Sequence, residues 1–236
     1  RMQWFLVSRL QGLWSRSRSS SHELAGFTDP PIEMFRSIAI EYNMTVSEEK
    51  QNLRLDQLHL VQHLDSATRN SFSAIIADRV REQAAFVHAD RILGFVPLAT
   101  EPNLGQVYDT AIAEGKQVAF PLCTADSTMQ FRAVDDQWRN QVIRSSMGVF
   151  EPDPSITTAI EVEDGTTTLV LVPALAYTPH RKRLGRGKGY YDRFLSLERS
   201  QFRLIGVCFS VQIQMSIPSE PHDATVDLVI TEQSMY

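Results

Sequence analysis

Residues 167–195 read TTLVLVPALAYTPHRKRLGRGKGYYDRFL, and this stretch decides the fold class. The run TTLVLVPAL (167–175) is apolar with a proline near its end, which is typical of a buried strand. A glycine-rich loop follows, and a helix is predicted from about 188 to 199. A buried strand that leads through a loop into a helix is the repeating unit of α/β domains.

The loop between strand and helix combines a bendable backbone with positive charge. Glycine stands at every second position from 185 to 189, and Arg183, Arg186 and Lys188 lie beside the glycines. Glycine lets a ligand approach the backbone closely, and free N–H groups, a helix N-terminus and cationic side chains all bind phosphate. Asp192 then suits a magnesium ligand for a polyphosphate. From spacing alone, a solvated basic turn or an RNA-contacting loop stays possible.

The alternation of strands and helices continues on both sides of this stretch. Helices are predicted at 45–64, where Thr45 or Ser47 is the expected N-cap, and at 66–87 and 104–115. Strands are predicted at 91–98, 117–122, 129–134 (at an edge or in a hairpin), 202–209 and 226–232. GVFEPDP (148–154) is too rich in proline for regular structure. We therefore expect a single three-layer α/β domain with a central, mostly parallel sheet, helices on both faces, and a ligand site beyond the carboxyl ends of the strands.

Composition narrows the class of protein. The chain has 236 residues, 43% hydrophobic and 22% charged, with a net charge of -5, which is ordinary for a soluble globular domain. The negative charge argues against general nucleic-acid binding, and no stretch has the length of a membrane span. Its two cysteines, Cys123 and Cys208, form no CxxC pair, so we expect neither a zinc site nor a disulfide framework.

The beginning of the chain differs from the rest. Residues 1–22 contain four arginines and no acidic residue, and they include the serine-rich run SRSRSSS (15–21). This composition fits an organelle transit peptide, and it also fits a poorly ordered extension with no targeting role. We predict that residues 1–45 are a flexible or targeting extension and that 46–236 form the domain. The expected location is cytoplasmic, or a mitochondrial or plastid matrix if residues 1–22 are a transit peptide.

The string LVPALAYTPHRKRLGRGKGYYDRFL resembles the signature of the 5-formyltetrahydrofolate cyclo-ligase (5,10-methenyltetrahydrofolate synthetase) family. Further segments resemble the family in the same order. They are KQNLR (50–54), ATEPNL (99–104), MGVFEPDP (147–154) and PHDATVDLVITE (221–232). The resemblance covers about residues 50–232.

The resemblance implies an enzyme that converts 5-formyltetrahydrofolate to 5,10-methenyltetrahydrofolate with ATP and Mg²⁺. It implies small-molecule substrates and no membrane partner, and we expect a monomer. The alternative is a non-catalytic relative that binds a nucleotide or RNA through the same loop. A sugar-phosphate enzyme of another class is a weaker option, because it would not need the Lys50 and Arg54 element.

The resemblance also assigns roles by position. Arg186 and Lys188 match catalytic positions, and Asp192 and Asp227 match two magnesium carboxylates. ATP-binding positions are Lys50, Arg54, Arg183, Leu184, Gly185, Arg186, Gly187, Lys188, Gly189, Tyr190 and Tyr191. Substrate-binding positions are Val96, Glu101, Met147, Arg186, Gly187, Lys188, Gly189, Tyr190 and Tyr191.

Several of these positions have a structural alternative. Lys50 and Arg54 could instead be solvated residues at the start of a helix. Tyr191 could be a ring packed under its helix, and Asp227 could cap the end of a strand. For Glu101 the alternative is a solvated turn, and for Val96 and Met147 it is ordinary packing.

The sequence departs from the family pattern near the signature. Tyr177, Thr178 and Arg181 replace a Phe-Asp pair and a later glycine, so we expect a changed charge beside the site. Cys123 and Met147 stand where some members have aromatic residues, which makes folate recognition less secure than nucleotide binding. We expect His180 and His222 to be peripheral and Glu151 to anchor a loop.

Overall fold

A seven-stranded sheet forms the middle layer of the computed structural model, which describes residues 44–124, 128–161, 165–198 and 202–236. The described strands are, in chain order, β1 (Arg91–Leu93), β2 (Gln117–Cys123), β3 (Met129–Val134), β4 (Val142–Arg144), β5 (Phe150–Pro152), β6 (Thr158–Ala159), β7 (Thr168–Pro173), β8 (Ala176–Tyr177), β9 (Arg183–Leu184), β10 (Phe202–Val207) and β11 (Leu228–Ile230). The order across the main sheet is β11-β10-β7-β1-β2-β3-β6, and the two pairs β4-β5 and β8-β9 form small sheets of their own. The first four pairings are parallel and the last two antiparallel, so the prediction of a mostly parallel sheet is confirmed.

Helices cover both faces of the sheet. The described helices are α1 (Val46–Gln62), α2 (Ser66–Arg81), α3 (Ala84–Val87), α4 (Gly105–Ala113) and α5 (Tyr190–Glu198). Alternate residues of β7 separate the layers. Leu169 and Leu171 pack with α1, α2 and α4, whereas Val170 and Val172 pack with α5. Both faces of this central strand are buried, as an apolar run predicts, and the three-layer α/β class is confirmed.

The start of α1 follows its sequence. Thr45 is the N-cap, its hydroxyl accepts a hydrogen bond from the backbone N–H of Glu48, and the Glu48 carboxylate accepts one from the backbone of Thr45. This reciprocal pair is a capping box, so Thr45 rather than Ser47 is the cap.

Several predicted elements are shorter in the structure, and two of them have a clear physical reason. The helix predicted over 66–87 ends at Arg81, because Gln83 has extended backbone angles and begins the single turn α3, which buries Phe86. The strand predicted over 91–98 ends at Leu93. Beyond Gly94, the backbone N–H and carbonyl of Phe95 pair with the Tyr108 hydroxyl instead of a neighbouring strand.

The prediction that 148–154 lacks regular structure was wrong. Phe150–Pro152 is a strand that pairs antiparallel with β4 in a two-stranded hairpin. Pro152 is tolerated because a two-stranded sheet leaves one edge of each strand unpaired, so the missing N–H costs no ladder bond. By contrast, the prediction of a hairpin strand at 129–134 is confirmed by the antiparallel pairing of β2 with β3.

The described residues fall within one compact unit, Met44–Tyr236. Residues 1–43 lie outside the described ranges, so the N-terminal extension and its targeting role stay predictions. No helix of the described ranges has both the length and the apolar character that crossing a bilayer requires.

Candidate active site

The glycine-rich loop lies at the carboxyl end of β7, where ligands bind in parallel sheets. After Pro173 the chain forms the β8–β9 hairpin, passes through residues 185–189 and enters α5 at Tyr190. Gly187 and Gly189 have φ angles of 97° and 69°, a left-handed conformation that other residues rarely adopt. The loop therefore needs glycine at these two positions.

A cavity of about 300 Å³ opens beside this loop. One wall is the loop and the start of α5, from Gly185 to Asp192, together with Arg183. The facing wall follows β1 and includes Phe95, Val96, Leu98 and Glu101. The third wall combines Pro121, Cys123 and Met129 of the β2–β3 hairpin with residues 147–151 of the β4–β5 hairpin.

Most of the predicted site residues meet at this cavity. Those that line it are Val96, Glu101, Met147, Arg183, Gly185, Arg186, Gly187, Lys188, Gly189, Tyr190, Tyr191 and Asp192. Leu184, Lys50, Arg54 and Asp227 do not line it. Leu184 packs beneath the loop with Ala176 and Ile217, so its side chain supports the hairpin rather than facing a ligand.

An ion pair joins the loop to the facing wall. Nη2 of Arg186 lies 2.8 Å from Oε1 of Glu101, whose other oxygen accepts a hydrogen bond from the Leu98 backbone N–H. The Glu101 side chain is 9% exposed and that of Arg186 is 39% exposed. Glu101 is thus a buried, oriented acceptor, whereas Arg186 reaches into the cavity from solvent.

Two buried polar atoms of the loop wall have no hydrogen-bond partner among the described residues. They are Nε of Arg183 and the hydroxyl of Tyr191. The Arg183 guanidinium also pairs with Asp192 and lies 5.7 Å from the centre of the Tyr191 ring. Burial raises the pKa of Tyr191 well above its ordinary value, so its hydroxyl stays protonated. Buried donors without partners fit a polar ligand such as a phosphate.

Helix α1 supports the outer side of the loop. Nε of Arg54 donates to the Gly185 carbonyl at 3.0 Å, and a Cβ on Gly187 would lie 3.1 Å from Cζ of Arg54. The loop therefore lies between the cavity and α1. In this structure Arg54 contacts the loop on the side opposite the cavity and stabilises its backbone at Gly185.

Lys50 pairs with two carboxylates on the segment that precedes β11. Its Nζ lies 2.7 Å from Oε2 of Glu220 and 2.7 Å from Oδ2 of Asp223, and its side chain is 8% exposed. Burial alone would lower the pKa of Lys50, but the hydrogen bonds and charges of Asp223 and Glu220 outweigh it, and the pKa is raised. Burial would raise the pKa of Asp223, but hydrogen bonds from Lys50 and the Glu220 backbone outweigh it, and the pKa is lowered.

The two predicted metal ligands have different surroundings. Asp192 lines the cavity, and its Oδ1 accepts hydrogen bonds from Arg183 and from the backbone N–H of Ala224. Asp227 precedes β11, and its Oδ2 accepts from the Leu204 N–H at 2.8 Å, which is the strand-end cap considered from the sequence. A metal shared by these two carboxylates stays a prediction.

The residues that depart from the family pattern lie mostly outside the cavity. Thr178 and Arg181 form the tight turn of the β8–β9 hairpin, where the Arg181 N–H donates to the Thr178 carbonyl and Arg181 has a φ of 64°. A guanidinium nitrogen of Arg181 donates to the Asp227 carbonyl. Neither Thr178 nor Arg181 lines the cavity, but Arg181 contacts Asp227, a predicted metal ligand, so the expectation of a changed charge beside the site stays a prediction.

Cys123 does line the cavity, and Glu151 holds it there. The Glu151 carboxylate is buried and accepts from the Cys123 N–H at 3.0 Å, which ties the β4–β5 hairpin to the end of β2. Burial, helped by the Glu151 carboxylate, raises the pKa of the Cys123 thiol to about 12. His180 and His222 lie outside the lining, as expected.

Sequence reasoning missed part of the third wall. Met129, Val149 and Phe150 line the cavity. The alternation of MQFRAV indicated which residues share a face of β3, but not that this face ends at a ligand cavity. Val149 and Phe150 were missed because 148–154 was predicted to lack regular structure.

Comparison with known proteins agrees with this geometry. The model of the 5-formyltetrahydrofolate cyclo-ligase family matches residues 46–232. A probable 5-formyltetrahydrofolate cyclo-ligase of Caenorhabditis elegans is 29% identical over 194 residues, which is 79% of this chain and 94% of the relative. A 5-formyltetrahydrofolate cyclo-ligase of Mycolicibacterium smegmatis is 31% identical over 59% of this chain and 72% of the relative. The solved structure of Aquifex aeolicus 5,10-methenyltetrahydrofolate synthetase matches with a TM-score of 0.66 at 24% identity, covering 79% of this chain and 91% of that one.

Proposed function

The chain belongs to the 5-formyltetrahydrofolate cyclo-ligase family, and from that premise we propose that it converts 5-formyltetrahydrofolate to 5,10-methenyltetrahydrofolate with ATP and Mg²⁺. The observation that carries the proposal is the glycine loop between a cavity and helix α1, with Arg186 and Lys188 on the cavity side. Such a loop supports a reaction in which a phosphoryl group passes to a substrate held in the cavity.

In the proposed reaction, the γ-phosphoryl group of ATP moves to the formyl oxygen, and ADP leaves. The N10 nitrogen then attacks the activated formyl carbon and gives up its proton, the carbon–oxygen bond breaks, and the proton and phosphate leave. Phosphoryl transfer depends mainly on positioning and on neutralising negative charge. The cations and N–H groups of the loop provide both.

Named residues have separate roles in this scheme. Arg186 and Lys188 stabilise the charge on the transferred group, and Arg183 donates its buried Nε to a phosphate oxygen. Glu101 accepts hydrogen bonds from the pterin ring, and Tyr191 presents its ring to the ligand. Val96 and Met147 pack against the folate.

Residues of α1 complete the nucleotide side. Arg54 holds the loop from behind through Gly185. Lys50 lies one helical turn from Arg54, and in this proposal its ammonium leaves a carboxylate partner to bind a phosphate. Because Glu220 is 42% exposed, it is the more easily displaced of the two carboxylates that now hold Lys50.

Asp192 fits a magnesium ligand, because it is a carboxylate in the wall beside two buried, unpartnered donors. Asp227 is the second proposed ligand. The ion would supply positive charge to the phosphates when it is bound. The residues described here orient the substrates around it.

The test follows methenyl-folate absorbance with purified protein and 5-formyltetrahydrofolate. Growth of the band that needs both ATP and Mg²⁺, and is lost in Asp192→Ala, supports the proposal. Asp136→Ala, which changes an exposed carboxylate away from the cavity, is the matched control and should keep the activity.

A protein that binds ATP without producing the band would be the non-catalytic relative. Of the departures that favour that alternative, Thr178 and Arg181 belong to a hairpin turn outside the cavity, whereas Cys123 lines the cavity. The cytoplasmic location and the monomeric state stay predictions.

A further inference from the structure

Met147 contacts the loop lysine across the mouth of the cavity. Its Sδ lies 3.4 Å from Nζ of Lys188, and the side chain is 37% exposed. A thioether sulfur is only a weak hydrogen-bond acceptor, so this contact leaves the ammonium free to turn toward a ligand. The pair therefore joins a reactive, accessible sulfur to a cation that the proposed reaction uses.

The turn that bears Met147 is fixed against the rim of the cavity. The Ser145 N–H donates to the Val149 carbonyl at 2.8 Å, and the Gly148 N–H donates to the Ser145 carbonyl at 2.9 Å. At the base of the hairpin, Glu151 is bonded to the Cys123 N–H. Because both ends of the turn are held, the backbone at Met147 keeps its place beside the cavity, and the side chain stays within reach of Lys188.

We propose that Met147 is an oxidation-sensitive site, and that its sulfoxide captures the ammonium of Lys188 and closes the cavity to phosphate-bearing ligands. The inhibition rests on the proposed function. The sulfoxide oxygen is a strong acceptor at the position where the thioether was a weak one. It also makes part of an apolar wall polar, which weakens packing against a flat ring.

The chemistry needs a peroxide as the oxidant. The Met147 sulfur attacks one peroxide oxygen, an S–O bond forms and the O–O bond breaks. The sulfur is oxidised by two electrons, and hydrogen peroxide is reduced to water. A methionine sulfoxide reductase reverses the change with a dithiol as reductant.

Four other sulfur-bearing residues of the described chain are less suited than Met147 to control the cavity by oxidation. The thiolate is the readily oxidised form of cysteine, and the raised pKa of Cys123 keeps this thiol protonated at neutral pH. Met129 is half-buried. Met215 and Met235 are 70% and 51% exposed, so peroxide reaches them readily, but neither lines the cavity. They are internal controls.

The experiment treats the full chain with hydrogen peroxide and follows two readouts at each time. Peptide mass spectrometry gives the sulfoxide fraction at each methionine, and the methenyl-folate assay gives kcat/KM. We expect kcat/KM to fall about 10- to 100-fold, the effect of displacing a charge-stabilising group by about 1 Å. The loss should follow the sulfoxide at Met147 and be reversed by methionine sulfoxide reductase but not by dithiothreitol alone.

Matched variants separate the sites. Met147→Leu should keep most of its own untreated activity after peroxide, whatever that activity is, whereas Met215→Leu should lose the same fraction as the unchanged protein. An equal fractional loss in Met147→Leu, or complete Met147 oxidation without loss, overturns the proposal.

A third readout does not depend on turnover. The rate at which an amine-reactive acylating reagent modifies Lys188 should fall several-fold after oxidation. The rate should not fall when Met147→Leu is treated in the same way. If untreated protein forms no methenyl product, the proposed function has failed, and the acylation rate still decides whether the sulfoxide captures Lys188. An unchanged rate overturns that capture.

Discussion

Arg186 and Glu101 close one side of the cavity through a 2.8 Å ion pair between residues 85 positions apart in the chain. Glu101 is held by the Leu98 N–H, so its carboxylate has a set direction even without a ligand. Arg186 must leave this partner, or share it, when a substrate enters. The pair therefore sets both the shape of the empty cavity and the charge that a ligand meets.

Replacing Glu101 with glutamine should raise the KM for 5-formyltetrahydrofolate about tenfold. The variant replaces the proposed hydrogen bond between the pterin ring and a charged carboxylate, worth about 1.5–3 kcal/mol, with a weaker bond to a neutral amide. We expect a value near the lower end, because the site is open to solvent at Arg186. The amide keeps an acceptor for Leu98 but loses the charge. Steady-state kinetics at saturating ATP measure the change. Glu114→Gln, which weakens an ion pair with Lys116 away from the cavity, is the control. A KM equal in both variants contradicts a substrate role for Glu101.

Gly187→Ala should lower the free energy of unfolding by about 1–3 kcal/mol and raise the KM for ATP, because it adds a left-handed alanine next to Arg54. Gly115→Ala is matched, since Gly115 has a φ of 79° with nothing within 4 Å of an added Cβ. It should show the cost of the backbone angle alone, about 1 kcal/mol. Urea unfolding compares the two variants. Equal costs would mean that Arg54 does not restrict this position.

Asp223→Asn should be less stable than the unchanged protein by about 1–2 kcal/mol at pH 7, because the variant weakens the pair with Lys50. The pKa of Asp223 is lowered in the folded state, so its contribution is present above the unfolded value and is lost as pH falls through the folded value. The difference should hold between about pH 5 and pH 9, begin to fall near the ordinary aspartate pKa of 3.8, and disappear below the lowered pKa of the folded state.

Denaturant unfolding across pH measures this difference, with Asp136→Asn as an exposed control. A difference that persists unchanged into strong acid would show that Asp223 stabilises the fold by packing rather than by charge.

Tyr108→Phe should cost about 2–3 kcal/mol of stability, more than Tyr177→Phe at about 1 kcal/mol. The Tyr108 hydroxyl satisfies both the N–H and the carbonyl of Phe95, whereas that of Tyr177 donates only to the Val172 carbonyl. Both rings are buried and both variants keep the ring, so the apolar packing is similar in the two variants and the difference reports the hydroxyl groups. Thermal unfolding gives the ranking, and the reverse order would mean that the Phe95 backbone finds other partners.

Local patterns in the sequence predicted much of the fold. The apolar run of β7, the cap at Thr45 and the glycine loop depend on residues close together in the chain, whose preferences act before any distant contact forms. Errors appeared where distant contacts outweighed local preference. The backbone of Phe95 is bonded to the Tyr108 hydroxyl instead of continuing the predicted strand. Pro152 lies in a hairpin strand that was predicted to be irregular.

The sequence by itself determined the α/β class, the glycine-rich loop, and the residues of that loop which line the cavity. Only the tertiary structure decided what the site residues touch. Lys50 lies between Glu220 and Asp223, 170 and 173 positions away, and the Arg181 guanidinium donates to the Asp227 carbonyl. Ion pairs and hydrogen bonds require groups within a few ångströms, and chain position alone does not set such distances.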